Sequence, residues 1–243
     1  MSSDASKVHL IELQQVTKLY TTAGASFTAL DRVDLTLPAR ALSAIVGRSG
    51  SGKSTLMNLI AGLDRPTSGR VCVAGTDVHQ STETELARWR GRNVGVVFQF
   101  FQLLPTLTVA ENVMLPMDLC GSYFGEGARQ RALALLERVG IPEQADKLPL
   151  SLSGGQQQRA AIARALANDP AVIVADEPTG NLDSRTAAAV LELFWELSRA
   201  GKCVLVVTHD REVASVADRV IELADGRVVS ASRSAGRSVE SVA

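Results

Sequence analysis

The stretch Gly47–Thr55 has the residue types and the spacing to bind a phosphate anion. It reads G-R-S-G-S-G-K-S-T, follows the apolar run from Ala41 to Val46 and precedes a helix-like segment. The glycines let several backbone N–H groups converge on one anion, and the positive end of the following helix adds to their field. Lys53 would reach the terminal phosphates, and the Ser54 hydroxyl would hold Mg²⁺. The stretch predicts a nucleoside triphosphate site, and its flanking strand and helix disfavour a chance match.

Other polar residues that could do chemistry also stand directly after apolar, strand-like runs. They are Gln99 after Val94–Phe98, Asp176 and Glu177 after Ala171–Ala175, and His209 after Cys203–Thr208. In an open parallel sheet, ligands bind at the carboxyl ends of the strands. We therefore expect one edge of the sheet to gather the phosphate loop, an amide, two carboxylates and an imidazole.

Each of these residues has a chemical role that suits its position. Asp176 would hold Mg²⁺, through a water molecule, and Glu177 would take a proton from the water that attacks the γ-phosphate. Gln99 would bind Mg²⁺ or position that water, and His209 would donate a hydrogen bond to the γ-phosphate. The alternatives are a capping Asp-Glu-Pro turn, a solvated amide and an ordinary surface histidine.

Ser153-Gly154-Gly155-Gln156 is a second candidate anion site. Ser153 is a predicted N-cap of the helix Gly154–Ala167, so a hydroxyl and two glycines meet a helix N-terminus again. One triphosphate does not need two such sites on one chain, whereas two chains related by a two-fold axis could each complete the site of the other. The alternative is a well-capped helix without a ligand.

Two β segments, His9–Val16 and Ala29–Leu37, come before the phosphate loop and predict a small antiparallel sheet beside the nucleotide. Tyr20 follows the first segment and offers a flat aromatic face on which an adenine ring could stack. An ordinary half-buried strand tyrosine explains its position equally well.

The middle of the chain has helical spacing at Thr108–Leu115 and Ala128–Val139 without intervening strands. This pattern predicts a helical subdomain, about residues 100–160, inserted into an α/β core. Later, Asp183 caps a long amphipathic helix, Ser184–Ala200, and Asp225-Gly226 marks a hairpin turn. We expect one domain over residues 8–229, with flexible tails at residues 1–7 and 230–243.

The bulk composition excludes several classes of protein. The formal net charge is −1 and aromatic residues make up 4 %, so no basic footprint indicates a nucleic-acid partner. The three cysteines are far apart and predict neither a disulfide framework nor a zinc site. No signal peptide and no apolar run of about 20 residues is present, so another chain would provide any membrane span.

Together these motifs resemble the ATP-binding cassette (ABC) ATPases over about residues 8–229. Gly47–Ser54 matches the Walker A motif, Gln99 the Q-loop, Leu152–Gln156 the signature motif, Ala171–Glu177 Walker B, Asn181–Asp183 the D-loop, His209 the switch histidine and Tyr20 the A-loop aromatic. The resemblance implies an α/β phosphate-loop NTPase fold with a RecA-like parallel core sheet. It also implies an ATPase that uses ATP and Mg²⁺, with a nucleotide contacted by Ser49, Gly50, Ser51, Gly52, Lys53, Ser54, Thr55, Ser153, Gly154, Gly155, Gln156 and Asp183.

Val97–Thr108 and Thr179–Asp183 look like the cassettes of macrolide exporters, lipoprotein-release systems and the cell-division cassette. This resemblance implies a head-to-tail dimer, a membrane permease as partner and a peripheral position at the cytoplasmic face of the inner membrane. Two alternatives remain: a regulatory cassette that transmits force without moving a solute, and a soluble ATPase of DNA repair or translation. Arg48, and the absence of an acidic residue in Leu148–Ser151, depart from the pattern of the family.

Overall fold

Alternating buried and exposed side chains form the two strands that precede the phosphate loop. In the computed structural model, which describes residues 9–22, 24–78 and 80–233, β1 spans His9–Thr22 and β2 spans Ala25–Pro38. Together with β4, Ser68–Val73, and β5, Thr76–Asp77, they form an antiparallel sheet in the order β2-β1-β4-β5. The predicted antiparallel subdomain is therefore present.

The chain divides into two compact units, Met1–Ser81 with Phe194–Ala243, and Thr82–Leu193. In the first unit, the mostly apolar strands β3 and β8 and the more exposed strands β9 and β10 form a second sheet in the order β10-β9-β3-β8. These strands and the helices of the unit are β3 (Ala41–Val46), α1 (Lys53–Ile60), β8 (Cys203–Thr208), α7 (Arg211–Ser215), β9 (Arg219–Ala224) and β10 (Arg227–Arg233). β3 is parallel to both β8 and β9, and β8 is buried along its whole length, as a strand covered on both faces should be.

The second unit is mainly helical. Its elements are α2 (Glu83–Asn93), β6 (Val94–Val97), α3 (Val109–Cys120), α4 (Gly125–Arg138), α5 (Gly154–Ala165) and β7 (Val172–Asp176), with 3₁₀ turns at Pro142–Gln144 and Pro149–Ser151. β6 and β7 are parallel. The long helix α6, Ser184–Arg199, carries the boundary between the two units.

β1 continues six residues beyond its predicted end at Val16 because a bulge hides its periodicity. Gln15 has φ +48°, its backbone N–H donates to Asp34 Oδ1 at 2.8 Å, and the register with β2 shifts between Leu13 and Val16. An extra residue in one strand exchanges the inward and outward faces. The apolar alternation is therefore interrupted although the strand itself continues, and Tyr20 lies within β1 rather than after it.

Helix α3 and strand β10 also end later than predicted. Helix α3 was predicted to end at Leu115, but it passes through Pro116 to Cys120. One proline removes a single helical hydrogen bond, and the neighbouring turns maintain the helix. Strand β10 continues to Arg233 and pairs with Arg219 of β9, so residues 230–233 are not part of a flexible tail. The tails predicted at residues 1–7 and 234–243 lie outside the described residues.

Candidate functional site

The backbone of the phosphate loop has room for glycine alone at two positions. A Cβ on Gly47 would lie 2.2 Å from Leu223 O, and a Cβ on Gly52 would lie 2.5 Å from Ala29 O. Gly52 also has φ +101°, which side-chain-bearing residues rarely adopt. The glycine spacing seen in the sequence is thus required by close packing against β2 and β9.

Lys53 lies over the loop that precedes it. Its Nζ donates to Gly47 O at 2.8 Å and to Arg48 O at 3.0 Å. Helix α1 starts at Lys53, and its N-cap residue Gly52 provides no side-chain acceptor. The first-turn N–H groups of an uncapped helix are available to an anion, and Ser54 beside them is exposed. The loop can therefore present backbone donors, one cation and one hydroxyl to a phosphate group.

His209 follows β8 at the same level at which the phosphate loop follows β3. Val46 pairs with Thr208 in the parallel register, so Gly47 and His209 leave the sheet at the same edge. The His209 side chain is exposed. The prediction that these two residues share the carboxyl edge of a parallel sheet is confirmed for this unit.

Tyr20 is held at both its hydroxyl and its ring. The hydroxyl donates to Asp64 Oδ2 at 2.8 Å, and Lys18 Nζ lies 4.9 Å from the ring centroid and 2.6 Å from Asp64 Oδ1. Burial and the hydrogen bond to Asp64 raise the pKa of Tyr20, against a lowering effect of Thr55. Burial opposes ionisation of Asp64, but hydrogen bonds from Lys18, Arg65 and Tyr20 outweigh it and lower the pKa of Asp64. Tyr20 as a whole is 38 % exposed, so its side chain is held by these contacts and is still accessible.

In the second unit, Gln99 and Asp176 leave parallel strands at one edge. Val97 of β6 pairs with Ala175 of β7, Asp176 follows Ala175 directly, and Gln99 lies two residues beyond Val97. Both side chains are half-buried. The register therefore brings this amide and this carboxylate to the same edge of the pair of strands, as the sequence predicts.

The chain reverses at Glu177 through an unusual backbone conformation. Glu177 has φ +45°, in the left-handed region, and its carbonyl accepts the Gly180 N–H at 3.1 Å. Left-handed backbone in a residue with a side chain costs about 1 kcal/mol or more, and such residues concentrate at functional sites. Gln99 lies against this turn, because a Cβ on Gly180 would be 3.2 Å from Gln99 Nε2.

Ser153 caps helix α5, as expected for the alternative in which this residue is a helix cap without a ligand. Its Oγ accepts the Gln156 N–H at 3.4 Å, and Gln156 Oε1 accepts the Ser153 N–H at 3.0 Å, which completes a capping box. The Ser153 side chain is exposed, and its hydroxyl proton can still be donated. The capped helix is thus present, and the second anion site stays a prediction.

Asp183 and Gly155 meet the same residue, Thr186, at the start of α6. Asp183 accepts the Thr186 N–H at 3.0 Å and the Thr186 hydroxyl at 2.6 Å. These two hydrogen bonds, with the hydroxyl the larger contributor, lower the pKa of Asp183. A Cβ on Gly155 would lie 2.4 Å from Thr186 Cγ2, so the methyl group of Thr186 fills the space beside this glycine.

Two residues that the sequence analysis did not identify hold the loop after Gln99. The Arg164 guanidinium of α5 donates to the carbonyls of Phe101 and Gln102, and the amide of Asn112 is bonded to Leu104. Burial lowers the pKa of Arg164. A lone arginine in the last turn of an alanine-rich helix reads as a favourable charge at the helix C-terminus, so the sequence has no signal for this contact.

Among residues 9–22, 24–78 and 80–233, no group of three or more His, Cys, Asp or Glu side chains is arranged to hold a metal ion. Mg²⁺ in phosphotransfer sites takes only one or two protein oxygen ligands, beside substrate phosphates and water. The exposed Ser54 hydroxyl and the half-buried Asp176 carboxylate are hard oxygen donors of that kind. Within the same residues, no helix has the length and apolar character to cross a membrane.

Known proteins with similar sequences have related descriptions. The sequence profile of the family described as "ABC transporter" matches residues 30–180. The lipoprotein-releasing system ATP-binding protein LolD of Anaeromyxobacter dehalogenans is 48 % identical over 220 residues, which are 90 % of this chain and 92 % of LolD. The macrolide export ATP-binding/permease protein MacB of Burkholderia pseudomallei is 47 % identical over 90 % of this chain, which spans only 34 % of MacB.

A solved structure of an ATP-binding cassette has a similar fold. The ATP-binding cassette MJ0796, described as a dimer in a post-hydrolysis state bound to ADP and Pi, matches with a TM-score of 0.86 and 43 % identity. The match covers 93 % of this chain and 99 % of the MJ0796 chain. The predicted α/β fold of a phosphate-loop NTPase is confirmed.

Proposed function

The chain belongs to the ABC transporter family and is an ATPase cassette; on that premise we propose that two copies close on ATP and drive a separate membrane permease. The observation that carries this proposal is that the chain has two glycine-rich helix starts of different kinds: the start of α1 is uncapped, and the start of α5 is capped by Ser153. The start of α1, behind Lys53, has no side-chain cap and is open to the phosphates of one ATP. The start of α5, at Ser153, offers a hydroxyl and glycine N–H groups that a second copy could present to the same ATP.

Each site residue has a proposed part in hydrolysis. Lys53 exchanges its bonds to Gly47 O and Arg48 O for the negative oxygens of the β- and γ-phosphates. Glu177 accepts the proton of the attacking water, and Gln99, packed against the Gly180 turn, orients that water. His209 donates a hydrogen bond to the γ-phosphate.

The remaining contacts bind the nucleotide. We assign the phosphates to the N–H and hydroxyl groups of the loop, and the adenine to the exposed face of Tyr20. Ser153, Gly155 and their neighbours in a second copy close the site from outside. Asp183 acts through Thr186, because its two carboxylate oxygens are already engaged there.

In this proposal Ser54 and Gln99 would provide the protein oxygen ligands for Mg²⁺, and Asp176 would hold the ion through a water molecule. When bound, the ion neutralises charge on the phosphate oxygens.

The names of the relatives support an exporter-like or lipoprotein-release-like permease as partner, and they do not favour the regulatory alternative. A cassette of this kind would be peripheral at the cytoplasmic face of the inner membrane. MacB carries its permease in the same chain, as its name says, whereas LolD is described as an ATP-binding protein. This chain covers nearly all of LolD, so a permease on a separate chain is the proposed arrangement.

The test uses Glu177→Gln, which keeps the shape of the side chain but cannot accept a proton. We expect ATP turnover to fall about 10²- to 10⁴-fold, the usual contribution of a general base, while ATP binding persists. The variant should then form an ATP-dependent dimer in sedimentation or light scattering. Wild-type turnover in this variant would contradict the assignment of Glu177.

A double variant, Glu177→Gln with Lys53→Met, is the matched control, because it lacks the cation for the phosphates and should stay monomeric with ATP. The trapped Glu177→Gln dimer can also serve as bait in detergent-solubilised membranes. Recovery of an integral-membrane permease would support the transporter proposal. Recovery of soluble or nucleic-acid-bound partners alone would contradict it and leave the ATPase assignment intact.

A further inference from the structure

The segment from Phe98 to Thr108 has no regular secondary structure, yet side chains from three elements fix its backbone. Asn181, in the turn after β7, donates to Gln99 O at 3.1 Å. Asn112 of α3 is fully buried and donates to the carbonyls of Leu104, Leu107 and Thr108 at 3.0–3.1 Å while accepting the Leu104 N–H at 2.7 Å. Arg164 of α5 donates to the carbonyls of Phe101 and Gln102, which lie between Gln99 and Leu104.

The contact with Arg164 lies at the least favourable part of the segment. Phe101 and Gln102 are consecutive residues with φ +59° and +53°, both in the left-handed region. Two such residues in a row cost about 1–2 kcal/mol each, so the surrounding structure has to enforce them. The two carbonyls point to one guanidinium, with Arg164 Nη2 at 2.8 Å from Phe101 O and Nη1 bonded to Gln102 O.

A guanidinium suits this task better than any other side chain. Its N–H donors form a rigid fork that can bond two neighbouring oxygens at once, whereas a lysine ammonium is a point charge on a flexible stem. The group is also partly withdrawn from water, which strengthens hydrogen bonds made by a charged donor. Loss of the fork would leave two carbonyls without their charged donor and release both strained residues.

The carbonyl of Phe101, which Arg164 holds, is only two peptide bonds from Gln99 in the chain. Phe101 is two residues beyond Gln99, and the Phe101 N–H bonds to Phe98 O at 3.2 Å, so a hydrogen bond closes the turn 98–101 that contains Gln99. The Gln99 side chain lies against Gly180, whose N–H bonds to Glu177 O. A shift of the turn would therefore change the position of the Gln99 amide relative to the backbone at Glu177.

We infer that Arg164 is a positioning residue for ATP hydrolysis: its fork on Phe101 O and Gln102 O holds the turn that presents Gln99. This inference rests on the role proposed for Gln99. It also links helix α5, whose first residues follow Ser153, to the segment around Gln99, because the fork is in the last turn of that helix. Arg164 itself contacts neither nucleotide nor water in this proposal.

The test compares Arg164→Met with Arg131→Met. Arg131 of α4 is the control, because its guanidinium also bonds two consecutive carbonyls, those of Leu166 and Ala167 at the end of α5, at 3.5 Å, but does not bond the segment from Phe98 to Thr108. We expect Arg164→Met to lower kcat about tenfold, a typical value for losing hydrogen bonds to a charged group, with less than about a twofold change in ATP affinity. Arg131→Met should retain the wild-type kcat, and Arg164→Lys should recover only part of the loss.

Hydrogen exchange provides a readout that does not depend on activity. The amides of residues 100–103 should exchange at least about tenfold faster in Arg164→Met than in Arg131→Met. Without the two hydrogen bonds from Arg164, local opening of this segment costs less free energy. Unchanged exchange at these amides would overturn the proposed clamp, whatever the kinetics. This outcome is also independent of whether Glu177 is the base, so failure of the clamp and failure of the proposed function are distinguishable.

A double-mutant cycle with Gln99→Ala decides whether Arg164 acts through Gln99. If it does, adding Arg164→Met to Gln99→Ala should leave kcat unchanged, because the group being positioned is already absent. A further tenfold loss in the double variant would mean that the two residues act independently and would overturn the inference. An equal loss of kcat in Arg131→Met would overturn it as well, since the effect would then be general destabilisation of the helices.

Discussion

The methyl group of Thr186 occupies the space in which a side chain on Gly155 would lie, with only 2.4 Å between Thr186 Cγ2 and a Cβ at Gly155. The hydroxyl of the same threonine is bonded to Asp183 at 2.6 Å. Thr186 thus connects the start of α5 to the start of α6 by packing on one side and by a hydrogen bond on the other. We therefore expect that a larger residue at Gly155, or loss of the charge at Asp183, disturbs the position of Thr186.

Gly155→Ala should destabilise the protein by about 1–3 kcal/mol, because the new methyl group overlaps Thr186 and the neighbouring helix starts must move. Urea unfolding measures the loss. Gly127→Ala in α4 is the control: nothing lies within 4 Å of its Cβ position, so alanine should stabilise the helix by about 0.5–1 kcal/mol. Adding Thr186→Ser to Gly155→Ala should recover stability, and no recovery would argue against the overlap.

The determinants of the phosphate loop are local, and so the sequence predicts the conformation of this loop well. Nine consecutive residues, Gly47–Thr55, contain the turn, the cation and the hydroxyl, and the burial of β3 on both faces follows from its composition. The edge shared by Gly47 and His209 is also predictable, because parallel strands with continuous apolar sequences must align their ends within the core.

The contacts of Arg164 were not predictable for the opposite reason. Its acceptors are 62 and 63 residues away, they are backbone carbonyls of an irregular segment, and any residue type could provide them. The bulge at Gln15 was missed because a positive φ there is not marked by glycine or asparagine. Structure fixed by tertiary contacts to main-chain atoms leaves little trace in the pattern of side chains.

Lys53→Met should weaken ATP binding by at least about tenfold, because a charge-assisted contact to phosphate is removed. The lysine is held over the loop by Gly47 O and Arg48 O, so the ammonium is positioned before the nucleotide arrives. Calorimetric titration with ATP in the Glu177→Gln background measures binding without turnover. ATP affinity equal to that of Glu177→Gln alone would contradict the role of Lys53.

Substitutions of Tyr20 separate base stacking from the structural hydrogen bond. Tyr20→Phe removes the hydroxyl, with its bond to Asp64 and its hydrogen bond with Thr55, but keeps the ring; it should cost about 0.5–1.5 kcal/mol of stability while ATP affinity is retained. Tyr20→Ala removes the ring and should weaken ATP binding by about 1–3 kcal/mol, the usual range for base stacking on an aromatic side chain.

Inorganic tripolyphosphate is the control ligand for these variants, since it has phosphates but no base. Its inhibition constant against ATP hydrolysis should be the same in wild type and Tyr20→Ala. A parallel loss of tripolyphosphate affinity would mean that the substitution disturbs the phosphate loop, with which Tyr20 interacts through Thr55.

Acidification should reveal the cap made by Asp183, because the two hydrogen bonds from Thr186 are stronger to the ionised carboxylate than to the protonated group. The bonds from Thr186 lower the pKa of Asp183 in the folded protein below its unfolded value of about 3.9. A group with a depressed folded pKa stabilises the fold above the unfolded pKa, and this contribution is lost as the pH falls through the folded pKa. Asp183→Asn keeps an acceptor oxygen but does not titrate, so its Tm should be lower than that of wild type at pH 7 and converge with it as the pH falls below about 4. Calorimetric scans of both proteins over this range measure the convergence, and a Tm difference that stays constant with pH would show that the charge of Asp183 does not stabilise the start of α6.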